Sequence, residues 1–205
     1  MMMPMATKRL TASQRRAQLI EVGRTVLAQH GYEATSVEEI ARAAGVSKPI
    51  IYEHFGGKEG LFAVIVDREM DLLVQRVAGS ISSGPPRARF EAAVLAFLGY
   101  VAERPDGFAV LTRDAPPSAR GSGMHSVIAD LAERIRDIFE HEFSRLGWDT
   151  AVSPIYAHAL IGMVTLTGQW WMDNPELSIN EVARHLAALG WMGLRHLPED
   201  PQPIG

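Results

Sequence analysis

The sequence predicts an all-α fold: a helix-turn-helix unit over residues 1–57, then a larger helical body over 58–205. Three observations carry this. Apolar residues recur at i, i+3 and i+4 in segment after segment. Several segments open on a Ser or Thr answered three residues later by Gln or Glu, as at Thr11–Gln14 and Ser178–Glu181. They close on Gly or on Asn-Pro, residues that end helices.

Taken in order, Thr11 to His30 is a helix whose buried stripe is Leu19, Ile20, Gly23, Val26 and Leu27, ended by Gly31. The next helix opens at Thr35 or Ser36, with Glu38 or Glu39 completing a capping box, and buries Val37, Ile40, Ala41 and Ala44. Gly45 stands where a left-handed residue must end it, Val46 plugs the turn and Ser47 is placed to cap a third helix. On that helix Ile51 and Phe55 share the inward side at 100° per residue. Pro49, Ile50 and Glu53 then point away, with Tyr52 and His54 on the flanks.

Pro and Ile shown to water make little sense on a free surface. They make sense in a major groove, where apolar side chains meet thymine methyl groups. Ser47, Lys48, Tyr52 and His54 are then expected to reach phosphates along the groove walls, joined by Thr35, Ser36, Lys58 and backbone N–H groups. An ordinary helical hairpin is the alternative; the outward-facing residue types favour a helix-turn-helix.

With those residues in view, GYEATSVEEIARAAGVSKPIIYEHFGGKEGLF (31–62) resembles the DNA-binding region of the tetracycline-repressor (TetR) family. The Gly-aromatic step, the Thr/Ser-capped helix with Ile-Ala, Ala-Gly-Val-Ser, Ile-Tyr, His-Phe and Lys-Glu all fall without insertion. The resemblance implies an all-helical homodimer on a palindromic operator, usually a repressor released by a small ligand. Pro49, Ile50 and Glu53 stand where the family often has Gly, Thr and Tyr. A tyrosine-type phosphate contact at 53 is therefore lost, and Glu53 either accepts from a cytosine amine or repels phosphate.

Charge is compatible with this. Residues 1–60 hold 8 Lys/Arg against 6 Asp/Glu, +2, and the remainder 12 against 18, −6, giving the net −4. The positive excess sits with the DNA-binding unit but is small, so non-specific binding is expected to be modest and salt-sensitive. A chain with no cysteine has no disulfide or thiolate metal site and fits a reducing, cytoplasmic compartment. The opening MMMPMATKRL has no apolar signal region and reads as a loose arm, where Lys8, Arg9, Arg15 and Arg16 can follow phosphates.

In the body, Lys58 opens a helix to about Ser80 with Leu61, Phe62, Ile65, Met70 and Leu73 apolar, a lever or a connector between the units. SISSGPPRA (80–88) is breaker-rich and the best candidate boundary in the pattern. Helices follow over 88–103 and from Pro105 through Leu111; DAPPSARGSG (114–123) reads as a mobile loop. Ser126–Leu146 is amphipathic, with a charged outer face. Ser153-Pro154 opens a helix with no formal charge as far as Met172. A membrane span is the less favoured reading, since His158, Thr165, Thr167 and Gln169 are costly in lipid. Burial on most sides is expected instead. The last helix carries two apolar faces, more than one monomer core needs. In the resembled family such a pair of helices forms the dimer interface, with Gly162, Gly168, Ala187 and Gly190 permitting close approach. The tail LPEDPQPIG reads as unstructured.

No Gly-x-Ser-x-Gly, phosphate loop or His-Glu-x-x-His is present, so the sequence offers neither a catalytic nor a metal motif, and no cofactor is expected. A pocket between helices, lined by aromatics and a few polar groups, suits a small, largely apolar effector. Its candidate lining is Phe97, Tyr100, Phe108, Met124 and His125, together with His158, Met163, Thr167, Trp170 and Trp171. Spacing like theirs also serves an ordinary core. Three functions follow, in decreasing support: a ligand-responsive repressor, a constitutive DNA-binding protein, and an all-α enzyme or carrier.

Overall fold

The structure is a computed structural model describing residues 10–80, 84–112 and 124–199; for Pro86, 124–131, Arg134 and Ile138 it describes the backbone alone. Among the described residues the order is α1 (Ala12–His30), α2 (Val37–Ala43), α3 (Lys48–Phe55), α4 (Lys58–Ser80), α5 (Pro86–Glu103) and α6 (Pro105–Thr112). Then come α7 (Met124–Leu146), a 3-10 turn (Thr150–Val152), α8 (Ser153–Asp173) and α9 (Ile179–Arg195). The loop expected over 114–123, the arm over 1–9 and the last residues of the tail lie outside the described residues.

Local chemistry sets the helix ends. Both expected capping boxes form, Thr11 with Gln14 and Ser178 with Glu181. At α2 the cap is Ser36, whose hydroxyl accepts from the Glu39 N–H at 3.1 Å. Ser47 occupies the α3 cap position without a side-chain cap bond, which leaves its exposed hydroxyl unspent. Gly45 (φ 65°) and Gly56 (φ 75°) take the left-handed turns that stop α2 and α3.

One continuous apolar core runs from α1 through α6 and takes in the inner faces of α8 and α9. Ile51 of α3 is fully buried in it, while α4 enters through Leu61, Phe62, Ile65, Val66 and Leu73. A second cluster, built on Ala132, Ala157 and Ile161, joins α7 to α8, with Val74 of α4 against it. Beside it Phe139, Phe143, Trp148 and Tyr156 stack with ring centroids 5.5–6.0 Å apart.

The apolar stripe of α4 also carries a buried acid, Glu69, beside half-buried Met70, which packs against the core. Two sequence expectations change here. Helix α8 is not covered on most sides: Ile155, Leu166 and Trp170 are exposed, as are Leu189 and Met192 of α9. By length and composition the segment Thr150–Asp173 is apolar enough to cross a membrane. Here it packs against α7 and α5. Two of the small residues serve contacts within the chain. A Cβ on Gly168 would touch Phe97, Val101 and Phe108, and one on Gly190 would meet the Phe90 ring at 2.6 Å.

Candidate nucleic-acid interface and its anchorage

Helix α3 is held from beneath and presented from above. Beneath it, Ile51 is sealed in the core and the Arg16 guanidinium lies 4.4 Å over the Phe55 ring, donating to the His54 carbonyl at 2.6 Å. Arg16 therefore caps the C-terminal end of α3, which the helix dipole makes favourable for a cation. Where α3 meets α4 the backbones touch: a Cβ on Gly60 would fall 1.9 Å from the Phe55 carbonyl oxygen. Gly57 likewise sits under the Tyr52 ring, where a Cβ would meet it at 3.4 Å.

Above, Ser47, Lys48, Pro49, Tyr52 and Glu53 are exposed, Tyr52 to 48%. Pro49 thus projects outward as its spacing requires. Ile50 divides itself: it is half-buried and packs in part against the core, so only its outer portion is offered to a groove. The Lys48 ammonium forms an ion pair with Glu38 of α2 and lies 6.0 Å over the Tyr52 ring. Their hydrogen bond holds the Glu38 carboxyl below, and the Lys48 ammonium above, its usual range. Ser36 is exposed beside them, and His54 is half-buried.

Two residues expected at this surface are placed elsewhere. Thr35 is buried, and its hydroxyl donates to the Gly31 carbonyl at 2.7 Å. The Lys58 ammonium donates to the carbonyls of Tyr32 (2.7 Å) and Thr35 (2.9 Å) and lies 4.0 Å over the Tyr32 ring. Lys58 thereby ties the start of α4 to the loop after α1, with two of its three N–H groups committed there and its charge over the Tyr32 ring.

A polar junction that the sequence did not announce lies where α1, α4, α5 and α6 meet. The Glu69 carboxylate, 3% exposed, accepts from Arg104 twice (Nε 2.8 Å, Nη2 2.6 Å), from the Tyr100 hydroxyl at 2.9 Å and from Arg24 of α1 at 3.4 Å. Burial pushes the carboxyl up, but the hydrogen bonds from Arg104 and Tyr100 and the nearby guanidinium charges outweigh it, so Glu69 stays below the usual carboxylate range. Burial, then the Glu69 charge, drive the Tyr100 hydroxyl well above its ordinary value. Next to Arg24, the Thr25 hydroxyl donates to Asp106 of α6 at 2.8 Å. The one signal of this in the sequence is an acidic residue on the apolar stripe of α4.

Among the described residues the effector candidates do not line one common cavity. Phe97 and Phe108 are buried and pack edge-to-face at 5.9 Å, and Tyr100 is spent on Glu69. His158 and Trp170 lie on the exposed face of α8; His158 donates to the Pro154 carbonyl at 2.7 Å. Trp171 is half-buried and donates to the Leu177 carbonyl at 2.9 Å, while half-buried Met163 lies near Gly190. Thr167 is half-buried, and the side chains of Met124 and His125 lie outside the described residues. A surface depression between α5 and α9 is lined by Arg87, Glu91, Arg184, His185, Ala187 and Ala188, none of them an effector candidate.

A capped helix, a glycine turn and a second short helix showing Ser, Lys, Pro and Tyr to solvent define a helix-turn-helix DNA-binding protein of the all-α class. Residues 19–65 match the family described as bacterial regulatory proteins, tetR family, and residues 86–193 match the Tetracyclin repressor-like C-terminal domain. The chain belongs to the TetR family of transcriptional regulators, and it is a regulator rather than an enzyme. Over 93% of its length it is 26% identical to the HTH-type transcriptional activator FasR of Mycolicibacterium smegmatis, covering 87% of that protein. It is 36% identical to the HTH-type transcriptional repressor KstR2 of Rhodococcus jostii over 40% of this chain and 41% of the other. A TetR-like transcriptional regulator from Rhodococcus sp. RHA1 shares the fold, with a TM-score of 0.75 and 26% identity over 92% of this chain and all of that one.

Proposed function

We propose that the protein is a homodimeric, ligand-responsive repressor that grips a palindromic operator in the cytoplasm. The observation that carries the dimer is the oily outer face of α8 and α9: Leu166 and Leu189 are 64% and 65% exposed, beside Ile155, Trp170 and Met192. A patch of that kind, uncovered in one chain, favours burial against a second copy related by a two-fold axis. Two recognition helices so paired grip successive major grooves when they stand ~34–36 Å apart. Lys48, Tyr52, Ser36, Ser47 and His54 then hold phosphates, while Pro49 and the outer part of Ile50 meet base edges. Residues 1–57 act as the DNA-binding domain and 58–205 as the body that binds effector and partner. Repression is the favoured sign because it asks only for operator occupancy.

The effector is small and largely apolar in this reading, since Val94, Phe97, Val101, Phe108 and Leu111 make the interior of the body apolar. It acts only through unequal affinity for DNA-competent and incompetent dimers, moving α6 and with it α4. A second reading, a regulator without effector, is favoured by one observation: Phe97 and Phe108 already fill each other's space.

Selection of bound fragments from a random DNA pool, repeated with a metabolite mixture, tests all of this. An inverted repeat released by some fraction of the mixture is expected, together with a dimer in sedimentation that Leu189→Glu dissociates. Selected sites lacking two-fold symmetry sink the dimeric reading; a footprint that persists through every fraction favours the second.

A further inference from the structure

We propose that Glu69 is a positioning residue for DNA binding: through Arg24, Arg104 and the neighbouring Thr25–Asp106 bond it fixes the angle at which the helix-turn-helix unit leaves the body, and so the half-site spacing that the protein accepts. The assignment rests on the dimeric, palindrome-binding reading above.

Apolar packing leaves the angle between α1 and the body undecided. Helix α1 meets α4 largely through hydrocarbon, with Gly23 against Leu61 and Ile65. Such contacts are strong in sum but non-directional, and helix packing of this kind leaves a scatter of about 15–20° in crossing angle. A planar guanidinium bound through two nitrogens to one carboxylate is directional. Arg104 supplies that geometry at the corner between α5 and α6, where it is the residue after α5 and Pro105 opens α6. Glu69 therefore fixes α4 to this corner.

Helix α1 is then joined to the corner by two neighbouring residues. Arg24 reaches the same carboxylate, and Thr25 reaches Asp106, two residues beyond Arg104. One such peg would leave α1 a pivot; two adjacent ones remove the rotation as well. Gly107 makes the fit possible, because a Cβ there would fall 2.2 Å from the Glu69 carboxylate and 2.9 Å from the Tyr100 hydroxyl. A buried ionic cluster adds little net stability over well-packed hydrocarbon, and its best-attested use is to select one arrangement among several. Here the arrangement selected is the pose of the recognition unit.

The test is a series of palindromes carrying the selected half-site, with the separation changed one base pair at a time. Each base pair turns one half-site by about 34–36° relative to the other, so a fixed pose reads it as a mismatch. The wild type is expected to show a single optimum, with affinity falling about tenfold per base pair away from it, as for other lost base contacts. Glu69→Gln is expected to flatten that profile to within about threefold while keeping the half-site sequence preference. Thr25→Val, a substitution of nearly equal volume, flattens it partway and decides the matter where Glu69→Gln fails to fold. Arg76→Gln cuts the exposed α4–α5 pair with Glu103, which does not touch α1, and is expected to keep the optimum.

A sharp, unmoved optimum in both Glu69→Gln and Thr25→Val, with only a lower melting temperature or uniformly weaker binding, overturns the assignment alone. Flattening by Arg76→Gln to the same degree also overturns it, since any loosening would then suffice. A wild type indifferent to spacing overturns the dimeric reading, and the assignment with it.

Discussion

The surface of α3 and the junction around Glu69 use charge in opposite ways. At the surface, Lys48 and Glu38 pair in open solvent, each with a side chain about half exposed. Such a pair is held weakly and screened by salt, so its members exchange partners easily. At the junction one carboxylate is sealed from water and shared among donors from α1, from α5 and from the corner between α5 and α6. That group cannot exchange anything without leaving a buried charge unpaired. Exposed, exchangeable charges of the first kind suit contacts to nucleic acid; sealed ones of the second kind suit holding helices in place.

Removing the buried carboxylate has the largest expected effect. Glu69→Ala leaves Arg104 and the Tyr100 hydroxyl without their acceptor and Arg24 with Glu21 alone, and is expected to cost about 3–5 kcal/mol in chemical denaturation. A loss below about 1 kcal/mol would put the junction in the same class as the surface pair. Acid sharpens the same point. Because the folded-state pKa of Glu69 lies below its unfolded value of about 4.3, the stability it contributes is present above that value and is lost as pH falls through the folded pKa. Denaturation midpoints are therefore expected to decline below about pH 4.3 in the wild type, and less steeply in Glu69→Gln. Equal slopes would remove Glu69 from the acid response.

Between the two regions stands the α3–α4 contact. Gly60→Ala places a methyl group against the Phe55 carbonyl, and no side-chain rotation relieves it because the obstacle is backbone. Overpacking of this kind costs about 1–3 kcal/mol, set against the ~1 kcal/mol that Ala ordinarily gains over Gly inside a helix. Net destabilisation together with weakened operator binding is expected. A stabilised variant with full binding would mean that the joint yields freely.

Nearly all of the fold was legible because its signals are local. Thr11–Gln14, Ser178–Glu181, Gly45 and Gly56 act within one turn of chain, and each element they bound is found within a few residues of its expected place. The outward face of α3 was legible for the same reason, apart from Ile50, whose division between core and solvent depends on neighbours distant in sequence. Thr35 and Lys58 were misplaced because their polar atoms answer carbonyls of the α1–α2 loop, and spacing carries no record of such bonds. The Glu69 junction leaves little trace in the sequence, since residues 24, 69, 100 and 104 become neighbours only after α1, α4 and α5 pack and the chain turns the corner after α5. His158 and Trp170 belong to a helix whose aromatic and polar residues suit a pocket as well as an outer face, and spacing alone does not say which side of α8 the rest of the chain covers.

The smallest effect tests the exposed half of the comparison. In the free protein the Lys48 ammonium is shared with Glu38, so reaching a phosphate means trading one exposed partner for another. The gain from that trade is chiefly entropic, through release of counterions from the duplex, and it depends on salt and not on base sequence. Lys48→Ala is therefore expected to weaken selected and random DNA by similar factors. It should also reduce the slope of log K against log salt by about 0.9 for each recognition helix bound. Ile50→Ala supplies the contrast: losing its outer methyl groups should relax preference at one base pair and leave the slope alone. Anisotropy titrations across a salt series distinguish the two. An unchanged slope in Lys48→Ala would show that Glu38 keeps the ammonium even on DNA, making α3 a reader of shape and methyl groups with little electrostatic grip of its own.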